Sequence, residues 1–349
     1  MRASLPQPRR AALSSMTPGA IEVVPKPCRR THKLPRMTIP HPSGEQFELA
    51  CGEQRAVVVE VGGGLRRYVV GEWEVVDGYR ADEHISAGRG QALIPWPNRL
   101  RDGRYEWDGA TQQLALTEPT QSNAIHGLMR WLPWRGVERA ADRVTMACRL
   151  HSQPGWPFVL DVEIAYALDA DGLSVRTRAT NAGGRPCPFG AGAHPYVSVG
   201  TARVDETLVQ APGAVRLLAD ERQIPTGEQE PVEGTPYDFR APRPLDDLQI
   251  DDAFTALARD HDGRARVRLT GLDNARTIEL WMDEAYGWLM LFSGDTLAPD
   301  ARRRSLGVEP MTCAPNAFQS GDGLRTLQPG ETFAGAWGIR ATARARRSS

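Results

Sequence analysis

The chain has 349 residues, 41% of them hydrophobic and 24% charged, with nine Trp, which supplies a sizeable core and excludes wholesale disorder. Its net charge of -1 is unevenly laid out: residues 1–36 hold eight Lys and Arg against one acid, leaving the remainder 34 bases against 42 acids, a net of -8. A body of that sign lacks the cationic face that phosphate contacts need, so no nucleic-acid partner is expected.

Lysine usage removes further reaction classes. Lys26 and Lys33 are the only lysines and both lie in the basic leader. Schiff-base chemistry, the Walker A loop and the kinase strand lysine therefore have no support in the body. The five cysteines, Cys28, Cys51, Cys148, Cys187 and Cys313, lie far apart without a CxxC pair, which suits reduced thiols and a cytoplasmic location. No run approaches the ~18 apolar residues of a membrane span. The leader also lacks the apolar stretch of a secretory signal, so no membrane partner is expected.

In chain order, residues 1–36 are rich in Arg, Pro and Ser, show no periodicity and read as a disordered basic leader that a start at Met37 would remove. Residues 37–340 read as one domain, and 341–349 as a frayed basic tail. Short apolar runs at 56–61, 144–150, 277–282 and 287–292, each bounded by Gly, Asp, Asn or Pro, predict strands. Leu160, Val162, Ile164, Tyr166 and Leu168 alternate with Asp161, Glu163, Ala165 and Ala167, and a second alternation runs from Leu173 to Thr180. The intervening Asp169-Ala170-Asp171-Gly172 is turn chemistry, so the pair is a predicted hairpin. No long stretch holds the 3.6-residue period, and the fold class is all-β, a large antiparallel β-sandwich. The Pro-, Gly- and acid-rich segment 216–248 predicts long loops.

Four segments carry more polar chemistry than a plain connection needs. PWPNRLRDGRYEWDG, residues 95–109, places Asn98 and Arg99 beside Pro97 and Trp96, a donor set that suits a polyhydroxylated ligand, while Arg-Asp-Gly is a turn into a strand at 104–107. SNAIHGLMRWLPW, residues 122–134, sets His126 near Trp131 and Trp134, an aromatic-walled setting, although a lone His of this kind is more often structural. In PFGAGAHPYVSVG, residues 188–200, turn punctuation explains the glycines and proline without explaining His194. In the segment 306–337, Glu309 sits in an otherwise apolar stretch, and a partly buried carboxylate near an imidazole is what general acid and base catalysis uses. Asp251 and Asp252 form a weaker candidate. No two of His126, His151, His194 and His261 stand at HxH, HxxxH or HExxH spacing, so no metal site is expected. There is no GxSxG elbow for a nucleophilic serine.

Taken together, PNRLRDGRYEWDG, NAIHGL, GAHPYV, DDAF and EPMTCAPNAFQSGDGL followed by LQPGE resemble the aldose 1-epimerase (galactose mutarotase) family in content and order, over roughly Glu45 to Ile339. The resemblance implies the galactose mutarotase-like β-sandwich and interconversion of the α and β anomers of a free sugar. It implies Glu309 as the general base at the anomeric hydroxyl, His194 as the general acid at the ring oxygen, and His126 as a second histidine on the sugar. Arg99 and Asp252, with Asn98 beside them, match residues that bind sugar hydroxyls, and Asp251 could replace Asp252. No cofactor is implied; the partner is a small-molecule sugar, and monomer and dimer stay equally open. Two other readings remain: a noncatalytic carbohydrate-binding protein, and a mutarotase of an anionic sugar such as sulfoquinovose, met by Arg99 or Arg101. The second is hinted at by Trp96, Trp131 and Trp134. A glycoside hydrolase would need Glu309 and Asp252 to face each other across a glycosidic bond.

Overall fold

The alternating segments at 160–180 do form the hairpin. Leu160–Asp169 and Gly172–Asn181 pair antiparallel from Leu160 opposite Asn181 down to Asp169 opposite Gly172. That register sets Val162, Ile164, Tyr166 and Leu168 against Ala179, Thr177, Val175 and Leu173 on one buried face. The structure, a computed structural model, describes residues 40–343. The leader 1–36 and residues 344–349 of the expected tail lie outside the described residues.

Two large antiparallel sheets pack on one core. The first has nine strands, with the hairpin near its middle and Thr332–Ala343 beside Gly172–Asn181. The second has twelve, and its centre runs Trp73–Val76, Tyr196–Val197, Leu306–Met311, Trp288–Phe292, Asp251–Leu257. The short strands Gly192–Ala193 and Ala92–Leu93 pair off this path. The predicted runs at 144–150 and 277–282 fall in Arg143–Leu150 and Arg276–Met282, and those at 56–61 and 287–292 overlap Gln54–Val59 and Trp288–Phe292. The fold is the expected all-β sandwich.

Two expectations need correction. Segment 216–248 is not all loop: Gly213–Ala219 and Pro225–Pro231 form a hairpin at the edge of the twelve-stranded sheet. The outermost strand is paired on one side and largely exposed, so it needs no apolar alternation and leaves no period-two signal. The last strand also runs on through Ala343, which pairs with Arg276, so ladder hydrogen bonds hold residues 341–343 that were expected to fray.

The register at the centre of the twelve-stranded sheet decides where the chemistry sits. Asp251 lies opposite Phe292, Met290 opposite Glu309, and Tyr196 opposite Gly307. Because side chains alternate, Asp251, Met290, Phe292, Glu309 and Tyr196 share one face. Leu289, Leu291, Leu306 and Val308 take the other and join the core between the sheets.

Candidate active site

Antiparallel pairing brings His194 to Glu309. Gly192 faces Met311 and Tyr196 faces Gly307, so the residues midway are Glu309 on its strand and His194 in the short link between Gly192–Ala193 and Tyr196–Val197. His194 Nε2 lies 3.3 Å from Glu309 Oε1. The two residues are 5% and 2% exposed, and His194 Nδ1 and Glu309 Oε2 have no hydrogen-bond partner among the described residues. Burial lifts the Glu309 carboxyl well above its ordinary range; Asp251 adds to the rise and Arg99 opposes it. Burial pushes the His194 imidazole down to about 3, with Arg89, Arg130 and Arg99 repelling its cation. Both shifts favour neutral forms, so between these limits the pair holds one proton in total. That is the same proton count as a carboxylate beside an imidazolium.

His126 sits in the left-handed region at φ 62°, followed by Gly127 at φ 72°, the kind of backbone strain that is kept where a side chain must be aimed. It is fixed reciprocally to Asn98: the His126 N–H donates to Asn98 O at 2.8 Å, and the Asn98 N–H donates to His126 Nδ1 at 3.2 Å. An accepting Nδ1 puts the ring proton on Nε2, making neutral His126 a donor. Burial, then the neighbouring His194, Arg130 and Arg99, holds its pKa well below the usual imidazole value. Its ring meets His194 edge-on, centroids 5.2 Å apart. Asn98, itself at φ 55°, accepts the Arg99 N–H with Oδ1 at 2.8 Å.

Arg99 comes from the strand Arg99–Arg101, paired with Asn123–Ile125. Its guanidinium grips Glu118 through two nitrogens, at 2.9 and 3.0 Å, and lies 3.9 Å from Asp251 Oδ2. Asn123 Nδ2 donates to Glu118 from behind at 3.1 Å. His126, His194, Glu309, Asn98, Arg99 and Asp251 line one cavity of about 290 Å³, near the lower end of the roughly 300–1,000 Å³ typical of small-ligand sites.

The structure corrects several expected roles. Asp251, not Asp252, lines this cavity; adjacent strand residues point to opposite faces, and Asp252 turns to Arg216 at 3.1 Å. Arg101 leaves the site to pair with Asp220. Arg99 is already held by Glu118, so neither arginine is free for an anionic sugar. Trp96 is core, packed on Phe318 with ring centroids 5.3 Å apart. Trp134 is core too, donating Nε1–H to Met129 O. Only Trp131 of that aromatic set lines the cavity, 54% exposed.

Among the cavity residues that the sequence did not single out are Glu118, Arg130 and Tyr196. Tyr196 was within reach, since it stands two residues after His194 and so shares its face; its ring stacks on the imidazole with centroids 4.9 Å apart. Glu118 had no signal beyond an acid before Pro119. Among the described residues no three His, Cys, Asp or Glu side chains gather as a metal cluster. None of their helices is long and apolar enough to cross a membrane, and Cys51, Cys148, Cys187 and Cys313 are free thiols.

A family model described as aldose 1-epimerase matches residues 45–339. The chain is 34% identical over 302 residues to the uncharacterized protein YihR of Escherichia coli strain K12, covering 86% of this chain and 94% of that one. It is 29% identical over 184 residues to the maltose epimerase of Levilactobacillus brevis, covering 47% of this chain and 53% of that one. Among solved structures, an aldose epimerase homologue from C. elegans has the same fold, with a TM-score of 0.77, 17% identity, and coverage of 86% of this chain and 99% of that one.

Proposed function

Because the chain belongs to the aldose 1-epimerase family, we propose that it interconverts the α and β anomers of a free hexose, with Glu309 and His194 as the proton-transfer pair. The observation that carries this reading is the 3.3 Å approach of His194 Nε2 to Glu309 Oε1, two buried side chains on the wall of one cavity. A carbohydrate-binding module has no use for such a matched pair, which weighs against the noncatalytic reading.

In this mechanism the resting proton moves from Glu309 to His194, giving a carboxylate and an imidazolium without exchange with solvent. Glu309 takes the proton of the anomeric hydroxyl while the bond from C1 to the ring oxygen breaks. The electron pair goes to the ring oxygen, which takes the His194 proton. Rotation about the first carbon-carbon bond turns the aldehyde over, and closure runs the same transfers backwards. His126 donates its Nε2–H to a sugar oxygen and offsets the charge that builds there. Arg99, Asp251 and Asn98 hold the remaining hydroxyls so that the reacting atoms stay in line.

A specific observation also favours an anionic sugar such as sulfoquinovose. Arg130 lines the cavity, and among the described residues no carboxylate ion-pairs with it; burial lowers its pKa, with Glu118 as the only opposing charge. A half-buried guanidinium without a salt bridge is a ready partner for an anionic substituent.

Polarimetry of freshly dissolved α-D-glucose, α-D-galactose and α-sulfoquinovose tests both readings. Faster approach to an unchanged final rotation is the expected result. No acceleration with any of the three sugars would refute the mutarotase reading, and equal kcat/KM for the neutral and anionic sugars would refute the anionic preference.

A further inference from the structure

Arg89 is a buried cation that the mechanism above does not use. It is 6% exposed and lies 3.5 Å from Asp77 Oδ2. Asp77 also accepts from Ser305 Oγ at 2.9 Å and pairs with Arg304. The Arg89 guanidinium carbon sits 4.8 Å from the centroid of the Tyr196 ring, the ring that stacks on His194 at an interplanar angle of 19°.

The turn that carries Arg89 grips His194 at several points. The Gly90 N–H donates to His194 O at 3.0 Å, and the His194 N–H donates to Gln91 O at 3.2 Å. The Tyr196 hydroxyl donates to Ala87 O at 2.9 Å. Gly88, at φ 71°, passes so close that an added Cβ would lie 2.7 Å from His194 Cδ2. Asp77 closes the loop, its N–H donating to Tyr196 O at 2.8 Å. A buried arginine anchored on a buried aspartate thus joins the 87–91 turn, the Tyr196 ring and the imidazole into one packed unit.

We propose that Arg89 is a positioning residue for His194, its guanidinium fixing the turn and the Tyr196 ring so that the imidazole stays at proton-transfer distance from Glu309. This rests on the mutarotase reading. Arg89 touches neither Glu309 nor the groups proposed to hold the sugar hydroxyls, so its effect falls on the chemical step rather than on binding. Its charge also acts on His194 directly, together with Arg130 and Arg99. Glu309 from the facing strand, His126 from the loop after Asn123–Ile125, and Tyr196 complete the groups around the imidazole.

The test uses Arg89→Met, which keeps length and apolar contact but removes the charge, and Arg89→Lys, which restores the charge. In Arg89→Met, kcat is expected to fall about tenfold or more, equivalent to about 1.4 kcal/mol, with KM within about twofold. The acid limb of the rate profile should move to higher pH, because a repelling cation has been removed from the imidazolium. Arg89→Lys should recover most of the pH shift. Nitrogen NMR of the His194 ring in both variants reads the same pH displacement without turnover, so a protein inactive on every sugar would sink the mutarotase reading while leaving this proposal testable. Unchanged kcat and an unmoved His194 titration in Arg89→Met would overturn it. If Arg89→Met does not fold, Arg89→Gln takes its place: a lower kcat at near-wild-type KM with the His194 titration moved to higher pH supports the proposal, and an unmoved titration with any loss confined to KM overturns it.

Discussion

Replacing Glu309 by Gln keeps the side-chain volume and removes the group that takes the anomeric proton. General acid and base catalysis supplies roughly 10²–10⁴-fold, about 3–5 kcal/mol of barrier, so kcat should drop by that factor while sugar affinity changes little. Stability should move the other way. The folded-state pKa of Glu309 is raised by burial well above the ordinary carboxyl value of 4.5, so in the interval above 4.5 the folded chain keeps a proton that the unfolded chain releases. Stability is then fully present below the unfolded value and is lost as pH rises toward the folded one, by up to about 1.4 kcal/mol per pH unit. Glutamine does not titrate and escapes this loss. Glu309→Gln should therefore melt close to wild type at pH 5 and above it at pH 8, with the gap widening in between. Calorimetry at the two pH values and polarimetry on the same samples check both halves. Turnover within threefold of wild type, or a melting gap that does not widen with pH, would refute the reasoning.

His194→Asn should lose a comparable share of kcat, and the double variant with Glu309→Gln should lose little more, since the two act as one unit. The kcat/KM profile for a neutral sugar should be flat from about 3, where the pair gains a second proton, to well above the carboxylate range, where it loses its only one; a limb near 6.5, the ordinary imidazole value, would contradict the shared proton. Asp251→Asn should raise KM about tenfold, the cost of losing a charged hydrogen-bond acceptor, whereas Asp252→Asn should stay within about twofold; the reverse order in steady-state kinetics would return the sugar to Asp252. Gly88→Ala should cost about 1–3 kcal/mol in chemical denaturation through its positive φ and lower kcat by displacing the His194 ring.

Much of the fold was written in local pattern. The alternation from Leu160 to Thr180 gave both strands and the turn, because a half-buried hairpin imposes a period of two on its own residues. The edge strand Pro225–Pro231 left no such mark, since exposure relieves it of apolar demands. The order of the chemical motifs led to His126, His194, Glu309, Arg99 and Asn98, and the structure gathers all five around one cavity.

What the sequence by itself determined was therefore the all-β class, the absence of a lysine from residues 37–349, and the short list of side chains able to move a proton. Tertiary structure decided how they meet. Strand register set His194 opposite Glu309 across 115 positions of chain. The pleat selected Asp251 over its neighbour, and core packing drew Trp96 and Trp134 away from the ligand. Pairing between distant segments also made Glu118 a cavity residue and left Arg130 without a salt bridge among the described residues. Those outcomes depend on which face meets which partner and how far each group leaves water, quantities that arise only once the two sheets close on each other.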